Sequence, residues 1–525
     1  MAAASDAARL LVSNRNHWVS WVLHHATSRP DGVAFRFLGV DTTWRTLWER
    51  TEKLADALHR RGVRRGDRVL LLTLNRTEFF EAVIAINAVG AIAVPVNFRL
   101  TPPEIAYLVE DSGGTIIFTE PVLAPLVAAT RKATDRIETV IVMGAAGDET
   151  TLGYEELIAE DGDGRPFVEL PESDPALILY TSGTTGRPKG AVLTHLNMVA
   201  QSVTCIRALG LTDEDGRALM AAPSFHVAAL GSVAPALMIG HTVVIHPLKE
   251  FDPVEVVDTL ERERITTVFM VPVQWQAVCA VPGIADRDFA LRSLSWGAAP
   301  ATDAVLEAME RTFPDAQIVA VFGQTEMSPI TCVLAGADSR RKLGSIGKPI
   351  PGISARVVDV NMNDVAAGDV GEIVYRGPTL MKEYWNNPMA TAAAMDGGWF
   401  HSGDLVRADD EGFLYVVDRK KDMIISGGEN IYCAEVENAI AGHPTIREVA
   451  VIGRPDDRWG EVPVAVVAGD APPTLEELRE FLGDTLARYK HPAVVEYVDT
   501  LPRNASGKVV KGRLRESHGG PLPGA

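Results

Sequence analysis

Apolar and polar positions along this chain change period repeatedly, and each change marks an element. Leu47, Leu54 and Leu58 recur at helical spacing in a polar background. Thr46-Leu47-Trp48-Glu49 ahead of them has the form of a capping box, in which a hydroxyl caps the helix and a carboxylate returns the bond. Gly62 suits the stop. Arg68 to Leu74 is a short apolar run and reads as a buried strand. The longest apolar stretch, Ala82 to Val96, is interrupted by Asn87, Gly90 and Pro95. It is shorter than the roughly 20 residues a membrane-spanning helix needs, and predicts a buried helix entering a buried strand. Thr101-Pro102-Pro103 opens a further helix, proline being tolerated in a first turn. Thr115 to Phe118 reads as a strand, and Gly144 to Thr150 as a surface loop. Strands separated by helices imply parallel βαβ units covered on both faces.

A second α/β run spans about Asp174 to Val333. From Val357 the pattern shifts to short strands and turns, as in Gly371 to Tyr375 and Gly412 to Val417, which predicts a β-rich subdomain. The charged run Asp418-Arg419-Lys420-Lys421-Asp422 precedes another compact unit, in which Thr474-Leu475-Glu476-Glu477 is again a capping box. The expected fold class is therefore α/β. A large N-terminal domain over 1–420 combines α/β subdomains with the β-rich one. A hinge falls at Lys421, a small α+β C-terminal domain covers 422–516, and a Gly- and Pro-rich disordered tail covers 517–525.

Composition narrows the function. The 525 residues carry a net charge of −19, with 46% hydrophobic and 23% charged positions. That is ordinary for a globular enzyme. The acidity argues against a nucleic-acid-binding surface, whose affinity comes from neutralising phosphates, and against a broadly basic membrane-surface protein. Peripheral membrane contact through a local patch stays open. Cys205, Cys279, Cys332 and Cys433 are scattered without a Cys-x-x-Cys. No zinc site or disulfide framework follows, and a reducing, cytoplasmic setting is the simplest. Met1 to Trp21 lacks a basic start and continuous apolar core, so it does not read as a secretory signal.

The chemistry concentrates in Tyr180-Thr181-Ser182-Gly183-Thr184-Thr185-Gly186-Arg187-Pro188-Lys189-Gly190, reached through an apolar strand from Ala176. Its glycines let the backbone approach an anion. Its amides, the hydroxyls of Thr181, Ser182, Thr184 and Thr185, and Lys189 are donors for phosphate oxygens. Composition alone leaves a plain surface loop equally open. The order is not that of a Walker A loop, which disfavours a P-loop kinase or ATPase.

This segment resembles the phosphate-loop signature of the adenylate-forming superfamily, which includes acyl-CoA synthetases, peptide-synthetase adenylation domains and beetle luciferases. Further motifs follow in the family's order. Trp296-Gly297-Ala298-Ala299-Pro300 resembles its adenine-side turn, and Val321-Phe322-Gly323-Gln324-Thr325-Glu326 its aromatic-Gly-x-Thr-Glu motif. Gly398 to Asp404 resembles its ribose motif, Asp418 to Asp422 its hinge motif, and Pro502 to Lys508 its C-terminal lysine motif. The resemblance covers most of the chain.

The resemblance implies ATP, Mg²⁺ and coenzyme A as cosubstrates and cofactor, and a mobile C-terminal domain that rotates between two half-reactions. Asp404 would accept from both ribose hydroxyls, Glu326 would ligate Mg²⁺, and Thr325 would donate to the α-phosphate. Phe322 would stack on adenine; the family often has Tyr there, so the phenol hydroxyl is absent. Arg419 matches a nucleotide-contacting arginine and Lys421 the hinge position. Lys508 would reach both the attacking carboxylate and the α-phosphate. Arg503, Lys511, Arg513 and Arg515 around it stay open, a solvated basic face being the usual explanation for a charge run. Gly427 and Gly428 would border the pantetheine channel. Trp459, Tyr489 and His491 are coenzyme A candidates or exposed packing residues, equally. His226, in Pro223-Ser224-Phe225-His226-Val227, is either a structural histidine or a residue that gates or contacts the acid.

Val227 to Met238 is apolar and rich in small residues, which suits either an acid pocket or plain core packing. No aspartate adjoins Phe225 to pair with a substrate ammonium, which favours an uncharged acyl group over an amino acid. The pattern looks most like bacterial fatty-acid–CoA ligases. It predicts activation of a medium- or long-chain fatty acid as acyl-AMP, followed by transfer to coenzyme A. An aryl-acid ligase and a ligase loading a carrier protein share these motifs and stay open, as does a homodimer. A luciferase-like oxygenase and a non-catalytic nucleotide-binding protein are the remaining classes.

Overall fold

The computed structural model describes residues 12–520 apart from 13, 161, 163–167, 182–186, 212–214, 300, 337, 427–428, 457, 470, 472, 484–485 and 504–507. The chain divides into two compact units, one formed by Met1–Ser354 with Arg376–Phe400, the other by Ala355–Tyr375 with His401–Ala525.

The first unit holds an eight-stranded and a nine-stranded sheet. In the smaller sheet, Ile92–Pro95, Arg68–Leu71, Ile116–Thr119 and Thr139–Val142 pair in parallel, as their uninterrupted apolar runs require. The strands Pro175–Thr181 and Lys189–Thr194 join antiparallel, and Glu383–Tyr384 adds to the latter's outer edge. Leu70, Val94, Ile117, Ile178 and Val192 form this sheet's core. In the larger sheet, Arg217–Met220, Thr267–Met270, Ser293–Gly297 and Gln317–Gly323 run parallel. Their apolar side chains pack with Trp275 and Met309. The Ala82 to Val96 stretch is a buried helix, Thr77–Ala88, followed by the strand Ile92–Pro95.

Ser354–Val358, Val370–Arg376, Phe400–Ala408 and Leu414–Arg419 form a four-stranded sheet whose last two strands are antiparallel, and a five-stranded sheet is built on Glu448–Asp456 and Gly460–Ala468. Side chains alternate across the latter pair. Val451, Ala465 and Val467 face the helices Cys433–Ala441 and Leu475–Leu482, while Ile452, Val464 and Val466 face Leu514 of the last helix.

Two expectations change. The helix expected at Thr46 runs Trp44–Arg60 and is capped by Thr43, whose side chain accepts from Thr46 N at 3.1 Å. Trp44, 1% exposed, belongs to the buried face, so the helix begins at it rather than at Thr46. The final helix, Lys511–His518, takes Ser517 and His518 out of the expected disordered tail. Ser517 Oγ donates to Arg513 O at 2.8 Å, and buried Arg454 donates through Nε to His518 O at 2.8 Å. Arg515 pairs with Asp422 at 2.7 Å, and Cys433 Sγ lies 2.9 Å from Asp422 O, so the stretch around Lys421 is fastened to the helices C-terminal to it. The capping box at Thr474 is present, Glu477 accepting from Thr474 N at 2.8 Å.

Candidate active site

In the first unit the strand Pro175–Thr181 delivers the phosphate-loop segment, and Lys189–Thr194 takes it back, with Thr181 opposite Lys189. Ser182, Gly183, Thr184, Thr185 and Gly186 lie outside the described residues. The segment's ends are held from the helix Pro102–Ser112. Tyr180 Oη donates to Asp111 Oδ2 at 2.7 Å, Tyr107 Oη donates to Pro188 O at 3.2 Å, and the Arg187 guanidinium lies 5.3 Å from the Tyr107 ring centroid.

Thr325 and Glu326 sit in a single helical turn that follows the strand Gln317–Gly323. Glu326 Oε1 accepts from Tyr384 Oη at 2.9 Å and stands 3.5 Å from Thr181 Oγ1. Lys189 Nζ lies 5.1 Å from the Tyr384 ring centroid. Burial, then the adjacent Glu326 charge, pushes the Tyr384 phenol well above its ordinary pKa, so it stays a donor. The structure thus brings Thr181, Lys189 and Glu326 together around a tyrosine that no sequence motif had singled out. The exposed edge of this cluster offers a carboxylate and a hydroxyl. Such hard oxygen donors fit Mg²⁺, which is commonly held by one or two carboxylates together with substrate phosphates. Among the described residues no group of three or more His, Cys, Asp or Glu could hold a metal alone.

The adenine-side segment follows from strand register. Gly297, the last residue of its strand, pairs with Val321, the residue before Phe322. Gly297 must be glycine, because a Cβ there would stand 2.2 Å from Val321 O. Ala298 turns the chain away at φ 66°. Phe322 is half-buried, leaving part of its ring available.

His226 caps the helix Val227–Ile239, its Nδ1 accepting from Ala228 N at 3.1 Å. Its structural role is thereby realised, and in the neutral ring the hydrogen sits on Nε2. The neighbouring Phe225 meets Phe98 edge to face at 5.5 Å. The helix abuts the Glu326 turn, since a Cβ on Gly231 would lie 2.8 Å from Pro329 Cδ.

In the second unit, Asp404 and Arg419 are cross-strand partners joined by an ion pair of 2.8 Å. Gly403 holds φ 72°, a conformation that favours glycine, and turns Asp404 inward. Glu372 organises this turn. It accepts from Gly403 N at 3.0 Å, His401 Nδ1 at 3.0 Å and Lys420 Nζ at 2.9 Å. Burial raises its pKa, but these donors outweigh burial and hold the carboxyl below its ordinary value.

Lys508 emerges from an excursion closed by the Arg503–Val509 bridge. Its side chain is exposed at the surface, yet the surrounding protein desolvates its ammonium and, with Arg419, lowers its pKa; Asp404 opposes the shift. Three of the basic residues around it are ion-paired, and Arg513 is exposed. Arg503 pairs with Glu448, Lys511 with Glu437 and Arg515 with Asp422. Lys421 is exposed in the turn after the strand Leu414–Arg419.

Gly427 and Gly428 lie outside the described residues. Ser426, just before them, pairs with Gly460, the neighbour of Trp459, which is 47% exposed. Tyr489 is exposed beside Lys490, whereas His491 Nε2 is engaged with Leu486 O at 2.8 Å. No helix among the described residues is long and apolar enough to cross a membrane.

Comparison with known proteins places the chain in a family. The family model for AMP-binding enzyme matches residues 22–385, and that for the AMP-binding enzyme C-terminal domain matches 435–508. A feruloyl-CoA synthase of Amycolatopsis is 42% identical over 507 residues, covering 95% of this chain and 99% of the relative. A long-chain-fatty-acid–CoA ligase of Mycobacterium tuberculosis is 36% identical over 514 residues, covering 96% and 99%. The solved o-succinylbenzoate CoA synthetase of Bacillus subtilis, in complex with its acyl-adenylate intermediate, superposes with a TM-score of 0.84 at 32% identity, covering 96% of this chain and 99% of that one.

Proposed function

Because the chain belongs to the AMP-binding enzyme family and is an AMP-forming acyl- or aryl-acid–CoA ligase, we propose that the acid it activates is aromatic. ATP, Mg²⁺ and coenzyme A are the family's cosubstrates and cofactor. The observation that carries the aromatic reading is the similarity to a feruloyl-CoA synthase across 95% of the chain. The geometry is consistent with it. Phe98 and Phe225 form an edge-to-face pair beside His226, at the start of an apolar helix whose small residues leave room. A medium- or long-chain fatty acid is the second reading, supported by the 36% identical mycobacterial relative.

In the first half-reaction a carboxylate oxygen of the acid attacks the α-phosphorus of ATP and pyrophosphate leaves. Thr325 donates to the α-phosphate, Lys189 and the phosphate-loop residues hold the outer phosphates, and Lys508 offsets the negative charge as one anion approaches another. Glu326, with Thr181 beside it, is the place for Mg²⁺, which would neutralise phosphate charge. Phe322 stacks on adenine and Asp404 accepts from the ribose. In the second half-reaction the thiolate of coenzyme A attacks the acyl carbonyl and AMP departs. Trp459 and the Gly427–Gly428 segment guide the thiol, and Lys421 is the hinge between 1–420 and 422–516.

The test is release of AMP and pyrophosphate with ATP and Mg²⁺ across a panel of cinnamic, benzoic, arylacetic and fatty acids, each with and without coenzyme A. Highest kcat/KM on aromatic acids, with AMP formation requiring coenzyme A, is the expected result. A clear preference for fatty acids would replace the first reading by the second. Pyrophosphate release indifferent to coenzyme A, with acyl-adenylate retained, would overturn the acceptor.

A further inference from the structure

We propose that Tyr384 is a positioning residue for ATP binding, one side chain that aims both the metal-side carboxylate of Glu326 and the phosphate-side ammonium of Lys189. The proposal rests on the roles given above to those two residues. Tyr384 lies far from either in sequence, and the chain goes to some length to bring it there. Residues 378–385 form a strap across two elements of the first unit. On one side Met381 N donates to Glu326 O at 2.7 Å, and Ser328 Oγ donates to Thr379 O at 2.8 Å. On the other, Lys382 N donates to Val192 O at 2.9 Å and Trp385 N to Gly190 O at 2.7 Å. Asn197 fastens the beginning of the strap by donating to Pro378 O at 2.7 Å and Leu380 O at 2.9 Å. The register places Tyr384 opposite Ala191, two residues beyond Lys189.

Tyr384 is 8% exposed, so its ring is fixed by packing while its two functional faces are used differently. The hydroxyl donates to Glu326 Oε1 at 2.9 Å, which limits the carboxylate's rotation and leaves it directed rather than swinging into solvent. The ring presents its electron-rich face to Lys189 Nζ, 5.1 Å from the centroid, an attraction that holds the ammonium without occupying its hydrogen-bond donors. Opposite charges on two flexible side chains that share one neighbour attract each other. The tyrosine between them holds each in place, leaving the lysine free to donate to phosphate and the glutamate to receive a cation.

The two contacts can be removed separately. Tyr384→Phe deletes the hydroxyl and keeps the ring; Tyr384→Leu deletes both. Calorimetric ATP binding, without acid, is measured in excess EDTA and then in saturating Mg²⁺, for these variants, for Glu326→Gln and for the unaltered protein. Thermal unfolding of each verifies folding. The expected result for Tyr384→Phe is that ATP affinity in EDTA stays within about twofold, while the gain in affinity on adding Mg²⁺ shrinks about tenfold, the scale of a hydrogen bond to a charged group. Tyr384→Leu additionally weakens binding in EDTA by about threefold, the scale of a lysine–ring contact. A merely structural tyrosine would lower the unfolding temperature and weaken both conditions alike. A Tyr384→Phe protein that keeps the full magnesium gain, while Glu326→Gln loses it, overturns the positioning role and leaves Glu326's role intact. If Glu326→Gln also keeps the gain, the assignment of Glu326 falls and the proposal with it.

Discussion

Replacing Glu372 tests whether the Asp404 turn is held from behind. The carboxylate is 6% exposed and receives donors from Gly403 N, His401 Nδ1 and Lys420 Nζ at 2.9–3.0 Å. The Lys420 side chain is 53% exposed, so solvent screens that pair to about 0–1 kcal/mol. The Gly403 and His401 bonds end on a charged, buried acceptor and are each worth about 1.5–3 kcal/mol. Glu372→Ala should therefore weaken the local sheet by about 3–5 kcal/mol after relaxation. Glu372→Gln, which can still accept from Gly403 but turns an amide toward two donors, should cost about 1–2 kcal/mol. A chain with two compact units does not report a single unfolding free energy, so the assay is amide hydrogen exchange. At pH 7 the amides of Val370–Arg376 and Phe400–Ala408 should lose about 100- to 5,000-fold protection in the Ala variant, if they open locally. The sign of the pH dependence follows from the depressed carboxyl. Its stabilisation is complete above the ordinary value near 4.5 and is lost as pH falls through the lowered folded value. The difference between native and Ala proteins should shrink in that acid window. Less than a tenfold change at pH 7, or a difference that persists unaltered into strong acid, would refute the clamp.

Other consequences are quicker to check. Lys508→Ala should slow acyl-adenylate formation by about 100-fold or more while sparing thioester formation from supplied acyl-adenylate; equal effects on both half-reactions would remove the assigned role. Gly297→Ala pushes a Cβ to 2.2 Å from Val321 O, so strand Ser293–Gly297 must shift; ATP affinity should fall at least tenfold, and unchanged nucleotide affinity would show that this turn does not border the adenine. The His17–His195 pair is buried, with ring centroids 5.2 Å apart, and burial lowers the two pKa values to about 4 and about 3. Both rings are neutral in the fold, so no penalty exists above the ordinary value near 6.5. As pH falls toward 4 the cost of keeping His17 uncharged grows to about 3 kcal/mol. His17→Asn keeps a helix-capping acceptor and should flatten the decline of unfolding temperature between pH 7 and 5; an identical decline would refute the assignment.

What the sequence revealed was local in character. The Thr181, Thr325, Asp404 and Lys508 segments are contiguous motifs, and buried strands such as Arg68–Leu71 are continuous apolar runs. Tyr384 and Glu372 were invisible for the opposite reason. Neither lies within the motif it supports, and an isolated tyrosine or glutamate has no periodic or compositional mark. Helix Trp44–Arg60 was legible from its leucines, but its first residue was decided by burial of Trp44, a tertiary fact. The ion pairs of the basic stretch near Lys508 were illegible because its acidic partners, Glu437, Glu448 and Asp422, come from distant elements. His226 caps a helix, so the structure exhibits its scaffolding role directly.

The edge strand Glu383–Tyr384 also sets a schedule for synthesis. Its partner, Lys189–Thr194, emerges from the ribosome nearly two hundred residues earlier, and before the strap arrives the chain has already laid down 355–375 of the other unit. Throughout that interval Lys189–Thr194 is an open sheet margin, apolar at Ala191, Val192 and Leu193. Contacts of such long sequence separation form slowly. A nascent chain stalled or cleaved before residue 383 would thus bear an unsealed, sticky border next to its phosphate loop, and would be a client for chaperones rather than a half-active enzyme.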